Sequence, residues 1–285
     1  MIISEIIYRL LPESLFAGLQ QQYHKLKKAI YKPMSLDDFE DVLNKLNIRK
    51  GDVVFIHSSY DKLHLSFSVL QMLKTLQERV GPEGTLLFPS WSYAGRTEDY
   101  LKSNKPFDVR KSFTRMGLLP EVARRKKTAI RSFHPTAAIA AIGKHAEELT
   151  NTHHLSSYAC DENSPYFKMM KYNAKIIGLG EKTTSLSFVQ CVEDVMKTDF
   201  PRQIYYPEPF NAVYQEADGS VKPMKVFVHR AGNHSNIPKF IRKKSSPEAC
   251  KQFSVKGRNY FVADAELLFD EMIRLAKQKI TIYDF

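Results

Sequence analysis

The sequence predicts an α/β layered sandwich, a mixed β-sheet flanked by helices, on three observations. Val53-Val54-Phe55-Ile56 and Thr85 to Phe88 are short, wholly apolar runs of the kind that form buried strands. Residues 66 to 80 between them carry helical periodicity, so strand, helix and strand alternate. Asp218-Gly219 separates two stretches of alternating residues, which signals a hairpin and hence a sheet of mixed direction.

In chain order, Ile2, Ile3, Ile6, Ile7, Leu10 and Leu11 recur at helical spacing before Pro12, and His24, Lys25, Lys27 and Lys28 follow. Residues 1 to 34 are therefore expected to form a helical arm. Such an arm either packs on the domain or on a second subunit, or rests on an anionic membrane surface. The main domain is expected to span 35 to 285. Ser35 caps its first helix, whose apolar face is Leu36, Phe39, Val42, Leu43 and Leu46, and Asp37 and Asp38 favour the positive end of the helix dipole. Gly51-Asp52 turns the chain into the first strand. Further strands are predicted at 137 to 141 and 175 to 179, and a helix near 184 to 197. Asp264 caps a closing amphipathic helix over Ala265 to Lys279, with Leu267, Leu268, Met272 and Leu275 on its inner side.

Among 285 residues, 43% are hydrophobic and 12% aromatic, enough for a globular core. The formal net charge of +11 favours an anionic partner: nucleic acid, an acidic membrane surface or a phosphorylated small molecule. The basic residues are not interleaved with aromatics in any recognisable module, so nucleic acid is not expected. Cys160, Cys191 and Cys250 lie far apart without metal-ligand spacing, which predicts neither a disulfide framework nor a metal site. No apolar run approaches the ~20 residues that cross a bilayer, and no basic leader or cleavage site opens the sequence. A cytoplasmic protein is expected.

The sequence carries no Walker loop, GxGxxG, HExxH or GxSxG motif. His57-Ser58-Ser59 follows the first strand directly, where an α/β sheet presents groups to a ligand. Taken alone, it fits a structural role equally well. Gly51 to Ser59 and Val80 to Pro89 are followed by Pro106-Phe107-Asp108, by Met116-Gly117-Leu118-Leu119-Pro120-Glu121 with Arg124, and by Arg131-Ser132-Phe133-His134-Pro135. Ala140-Ala141-Ile142-Gly143, Asn163-Ser164-Pro165-Tyr166 and Ile176-Ile177-Gly178-Leu179-Gly180 complete the set. In that order these segments resemble the antibiotic N-acetyltransferase family, the aminoglycoside 3-N-acetyltransferases, over roughly residues 35 to 280.

The resemblance implies an aminoglycoside 3-N-acetyltransferase-like fold and transfer of an acetyl group from acetyl-coenzyme A to a small amine-bearing substrate. An amino sugar of polysaccharide or sugar-nucleotide metabolism suits the basic chain better than a cationic antibiotic does. The family places a catalytic histidine in a Thr-Ser-Leu-His segment with a glutamate three residues on. Here Thr184-Ser185-Leu186 is followed by Ser187, and the glutamate position holds Gln190. A serine is too weak a base near neutrality to replace imidazole, and a glutamine carries no charge to stabilise an imidazolium. His57 is the first candidate for a substitute base, ahead of His134 in its fixed turn and of His153 and His154, which read as a solvated pair. Cys191 offers an acyl-carrying thiol, and Glu193 and Asp194 read as exposed charges that alternatively serve as a base. Ser58, Ser59 and Arg131 are expected to contact coenzyme A, Arg131 alternatively pairing with Asp108 or Glu121. A catalytically degenerate scaffold or binding subunit is the competing reading.

Overall fold

The structure, a computed structural model, describes residues 30–285 together with Gly18 and Gln22. All but the end of the expected N-terminal arm lies outside the described residues. Numbering the strands and the helices of seven residues or more in chain order gives α1 (Leu36–Lys45), β1 (Val53–Ser58), α2 (Val69–Val80), β2 (Thr85–Pro89), β3 (Phe107–Asp108), α3 (Leu118–Arg124), β4 (Ile130–Arg131) and β5 (Ile139–Gly143). The chain continues through β6 (Lys175–Leu179), α4 (Gln190–Met196), β7 (Phe210–Gln215), β8 (Val221–Val226), α5 (Ile237–Lys244), β9 (Cys250–Val255), β10 (Arg258–Asp264) and α6 (Ala265–Lys277).

Seven strands form the main sheet in the order β4-β5-β2-β1-β6-β10-β9. The central β2, β1 and β6 are parallel, and β5 and β10 flank them antiparallel. Along β1, Val53 and Phe55 enter one core while Val54 and Ile56 enter the other, so this wholly apolar strand is buried on both faces. The first core packs against α6 through Leu268, Met272 and Leu275; the second packs against α1 and α2 through Phe39, Val42, Leu43, Met72, Leu73 and Leu76. The predicted sandwich is present.

Local chemistry sets the helix starts. Ser35 and Asp38 form a reciprocal capping box on α1, Ser68 accepts from Gln71 N–H at the start of α2, and Asp264 accepts from Leu267 N–H at the start of α6. Leu267, predicted on the inner side of α6, is instead half exposed, since it sits one position off the buried stripe of Leu268, Met272 and Leu275.

The predicted hairpin around Asp218-Gly219 forms, joining β7 to β8. It does not enter the main sheet. With β3 it makes a separate three-stranded sheet, and the mixed character of the main sheet comes from β4, β5, β9 and β10. The inference from this hairpin to a mixed main sheet is thereby corrected, since alternation specifies a half-buried strand without naming its partner. No helix among the described residues is long and apolar enough to cross a membrane.

Candidate active site

The carboxyl ends of the parallel strands point to one side of the sheet, where open α/β sheets present their ligand-binding groups. A cavity of about 580 Å³ lies there, walled on its far side by residues of the small-sheet connection. Trp91 and Tyr93 reach it just after β2, Ser187, Gln190 and Asp194 from the segment after β6, and His229 from the segment after β8. Tyr166 and Tyr205 add two further aromatic walls.

Two 3-10 turns, Thr183–Ser185 and Ser187–Val189, lead into α4 and carry Ser187 and Gln190 to the cavity. The same helix brings Asp194, one turn on from Gln190. Asp194 is 2% exposed and accepts the Cys160 N–H at 2.6 Å and the Tyr205 hydroxyl. Burial pushes its carboxyl up to about 7, against the Tyr205 hydrogen bond that favours the ionised form. Glu98, at the opposite wall, is ion-paired with Arg96 and accepts the Tyr206 hydroxyl.

His229 faces Glu193. Its Nε2 lies 3.1 Å from Glu193 Oε2, while the carboxylate is 1% exposed and the imidazole side chain 30%. The two groups stand at ion-pairing distance, an ion pair forming when the imidazole is protonated, while neither Glu193 oxygen has a hydrogen-bond partner of good geometry among the described residues. Burial lowers the proton affinity of His229, but its side-chain contact with the Glu193 carboxylate, followed by the charges of Glu193 and Asp194, outweighs it, and the imidazole ends above its ordinary value. Backbone pairing fixes the residue from both sides: Tyr206 N–H donates to Val228 C=O at 3.0 Å and Arg230 N–H to Ile204 C=O at 2.7 Å. The Tyr205 ring stands 4.8 Å from the imidazole.

The structure brings Ser187, Gln190 and Asp194 together in the cavity and leaves His57, Arg131, His134, His153 and Cys191 outside its lining. His57 is 5% exposed, lodged between Phe55 and Phe261 in the core, and lies outside the cavity lining. Burial alone pulls its proton affinity down to about 3, so the imidazole is neutral and too weakly basic to collect a proton near neutrality. This corrects its expected role as the substitute base. Arg131 is also buried. Its guanidinium donates to the carbonyls of Ser90, Val109 and Ser112 and stacks over the Phe107 ring at 4.4 Å, which ties the segment after β2 to the one after β3. Those carbonyls accept from both terminal guanidinium nitrogens, while Nε has no hydrogen-bond partner among the described residues.

His134 accepts the Ala137 N–H at 3.2 Å, which is the structural use its fixed turn implied. His153 is wholly buried, stacked on His134 with ring centroids 4.5 Å apart, so the expected solvated pair is divided. Cys191 is buried with its thiol donating to Cys160 C=O at 3.0 Å, and burial pushes the thiol's pKa up so that it stays protonated, which suits packing and not nucleophilic attack. Glu193 and Asp194, expected on the exposed side of the helix, are both buried, because α4 is covered by α6 on one side and by the segment holding Tyr205 and His229 on the other. Ser58 Oγ is buried at the carboxyl end of β1 with no hydrogen-bond partner among the described residues, and Ser59 N–H donates to Leu179 C=O.

His229 has no signal in the sequence. It follows Val226-Phe227-Val228 as the end of an alternating run, 36 residues beyond Glu193, with no motif linking the two. Only the pairing of segments 204–206 and 228–230 brings it to α4.

A family model described as aminoglycoside 3-N-acetyltransferase matches residues 55–277. Among curated proteins, the aminoglycoside N(3)-acetyltransferase III of Salmonella sp is 28% identical over 182 residues, covering 59% of this chain and 63% of that one. The aminoglycoside N(3)-acetyltransferase IX of Micromonospora chalcea is 25% identical over 191 residues, covering 62% and 68%. The chain thus spans less than two thirds of the Salmonella relative's length. The solved structure of aminoglycoside acetyltransferase AAC(3)-Xa superposes with a TM-score of 0.75 at 18% identity, covering 93% of this chain and 99% of that one. AAC-IIIb, solved with CoASH, superposes with a TM-score of 0.71 at 19% identity, covering 86% and 97%. At these identities the likeness to the solved structures is one of fold.

Proposed function

The chain belongs to the aminoglycoside 3-N-acetyltransferase family, and from that premise we propose that it transfers the acetyl group of acetyl-coenzyme A to the amine of an amino sugar. The observation that carries the reading is the lining of the cavity. Trp91, Tyr93, Tyr166, Tyr205 and Phe227 offer flat apolar faces with polar edges, which suit the C–H faces and hydroxyls of a sugar ring. A polycationic acceptor asks for unpaired carboxylates, and this cavity has few: Glu98 is neutralised by Arg96, and Asp194 titrates near 7. With a net charge of +11, an acceptor that also carries an anionic group, such as a nucleotide-linked amino sugar, is favoured.

Ser187 and Gln190 supply neutral hydrogen-bond donors to this cavity, a chemistry suited to holding a carbonyl whose oxygen becomes negative. At the end of β1, the partnerless Ser58 hydroxyl, with Ser59 beside it, is offered to coenzyme A.

Calorimetry with acetyl-coenzyme A, followed by thiol release over a panel of amines, tests the proposal. The expected result is binding, with release fastest for a nucleotide-linked or free amino sugar and at least about tenfold slower in kcat/KM for a polycationic aminoglycoside. Fastest release with the aminoglycoside would overturn the acceptor class. Binding without release for any amine would favour the scaffold reading, which the absence of His and Glu at positions 187 and 190 supports.

A further inference from the structure

We propose that His229, paired with Glu193, is the general base of acetyl transfer in this chain, the base having moved from the turn before α4 to a neighbouring segment that lines the same cavity beside α4. The inference rests on the acetyl-transfer reading above and names the group that reading lacks. Position 187 holds a serine and position 190 a glutamine, so neither can take up a proton. One helical turn beyond Gln190, α4 carries the buried Glu193, and an imidazole reaches it at 3.1 Å from the segment after β8. A histidine and a carboxylate are therefore still present at this helix, supplied by residues that no sequence motif connects.

The geometry suits the task. His229 lines the cavity, so it touches the space an acceptor amine would occupy. With Nε2 turned to Glu193, Nδ1 is the nitrogen left to accept a proton. The backbone bonds on either side of His229 and the Tyr205 ring against it hold the imidazole in place before substrate arrives. Glu193 acts through His229 as a positioning residue: its buried charge stabilises the imidazolium formed during the reaction.

The step balances as follows. The acceptor arrives as a neutral amine, having lost the ammonium proton to solvent, and its nitrogen lone pair forms the new N–C bond to the thioester carbon. The carbonyl electron pair moves to oxygen, and His229 Nδ1 takes the proton that the quaternised nitrogen must shed. As the carbonyl re-forms, the C–S bond breaks, and the departing thiolate receives that proton back from His229. The products are the acetamide and the free thiol, with the imidazole neutral again.

The charged and titratable groups facing His229 are Glu193 and Asp194 from α4 and Tyr205 beside the ring; Tyr283, near the C-terminus, reaches Glu193 from behind. The carboxylates raise the proton affinity of His229, so the acid limb of kcat/KM is expected at a pH above the ordinary histidine value of 6.5. Glu193→Gln is expected to move that limb to lower pH, a shift that a purely structural role would not produce.

Steady-state thiol release with the best acceptor tests the proposal, alongside NMR titration of the His229 ring in the unmodified protein. His229→Gln is expected to lower kcat by about 100-fold or more while KM for acetyl-coenzyme A stays within about threefold, and added imidazole is expected to restore part of the rate to His229→Ala. The ring is expected to titrate above 6.5 in the unmodified protein and lower in Glu193→Gln, a readout that stands even if His229→Gln fails to fold. A ring that titrates at or below 6.5 without responding to Glu193→Gln, or a His229→Gln enzyme with undiminished kcat, would overturn the assignment and leave the acetyl-transfer reading intact. No thiol release from the unmodified protein would overturn both.

Discussion

Gly143→Ala is expected to destabilise the protein by about 3 kcal/mol or more, combining a strained backbone with a collision that cannot relax. Gly143 closes β5 with φ at +129°, a conformation that side chains disfavour. A Cβ built there would lie 2.2 Å from Gly84 C=O and 2.7 Å from Thr85 Cα, both backbone atoms with no rotamer to adopt. The same corner carries two hydrogen bonds, Lys144 N–H to Gly84 C=O at 3.2 Å and His145 N–H to Thr85 Oγ1 at 2.9 Å, which join β5 to β2. Making room for the methyl group would pull both apart. Gly51→Ala separates the two contributions, since Gly51 also has positive φ, at +85°, but nothing within 4 Å of the added carbon. Its expected cost is about 1 kcal/mol. Urea midpoints of the two variants against the unmodified protein check this; equal midpoints for the two would show that the close approach to Gly84 contributes nothing.

The effect of His57→Leu on stability is expected to shift with pH in a way that reports the neutral, buried imidazole. In the folded protein the proton affinity of His57 lies at about 3, against an ordinary value of 6.5. Between those limits the unfolded chain binds a proton that the folded chain refuses, so stability from this residue is lost as pH falls through 6.5 and stops falling near 3. From pH 7 to pH 5 that loss amounts to about 2 kcal/mol for one imidazole. Leucine cannot titrate, so the difference in unfolding free energy between variant and unmodified protein should shift by about 2 kcal/mol in the variant's favour over that range. At pH 7 the substitution also removes the partnerless Nε2 from the core, which limits its cost. Comparing the two proteins cancels the opposing titrations of Asp194 and His229, whose raised affinities add stability on acidification. Chemical denaturation at both pH values measures the shift; a constant difference would mean that His57 is protonated, or solvated, in the folded protein.

Much of the scaffold was legible because it depends on local and periodic signals. The continuous apolarity of Val53 to Ile56 pointed to a buried strand, and Ser35 and Asp264 announced helix starts that hydrogen bonding alone is enough to set. The ordered motifs from Gly51 to Gly180 pointed to the family that the match over 55–277 establishes. Positions 187 and 190 could be placed in a cavity wall because they follow a strand end in that pattern.

Other features had no such signal. The burial of Glu193 and Asp194 depends on what covers α4, and a charge pattern along one helix says nothing about its cover. Arg131 reads as a phosphate ligand or an ion-pair partner until three carbonyls from two other segments are seen around it. His57 sits at a strand end that the sheet rule favours for binding, yet its register opposite Gly178 and its packing against Phe261 seal it in the core.

By itself, then, the sequence determined the layered sheet, its helix starts, the family and the two altered positions at the entry to α4, since each is encoded within a short stretch or a fixed order of stretches. Only the tertiary structure decided which ionisable groups meet. His229 and Glu193 lie 36 residues apart and come together because the chain pairs segments 204–206 and 228–230 beside α4. Such a contact depends on long-range backbone pairing, and neither side chain carries a local trace of it.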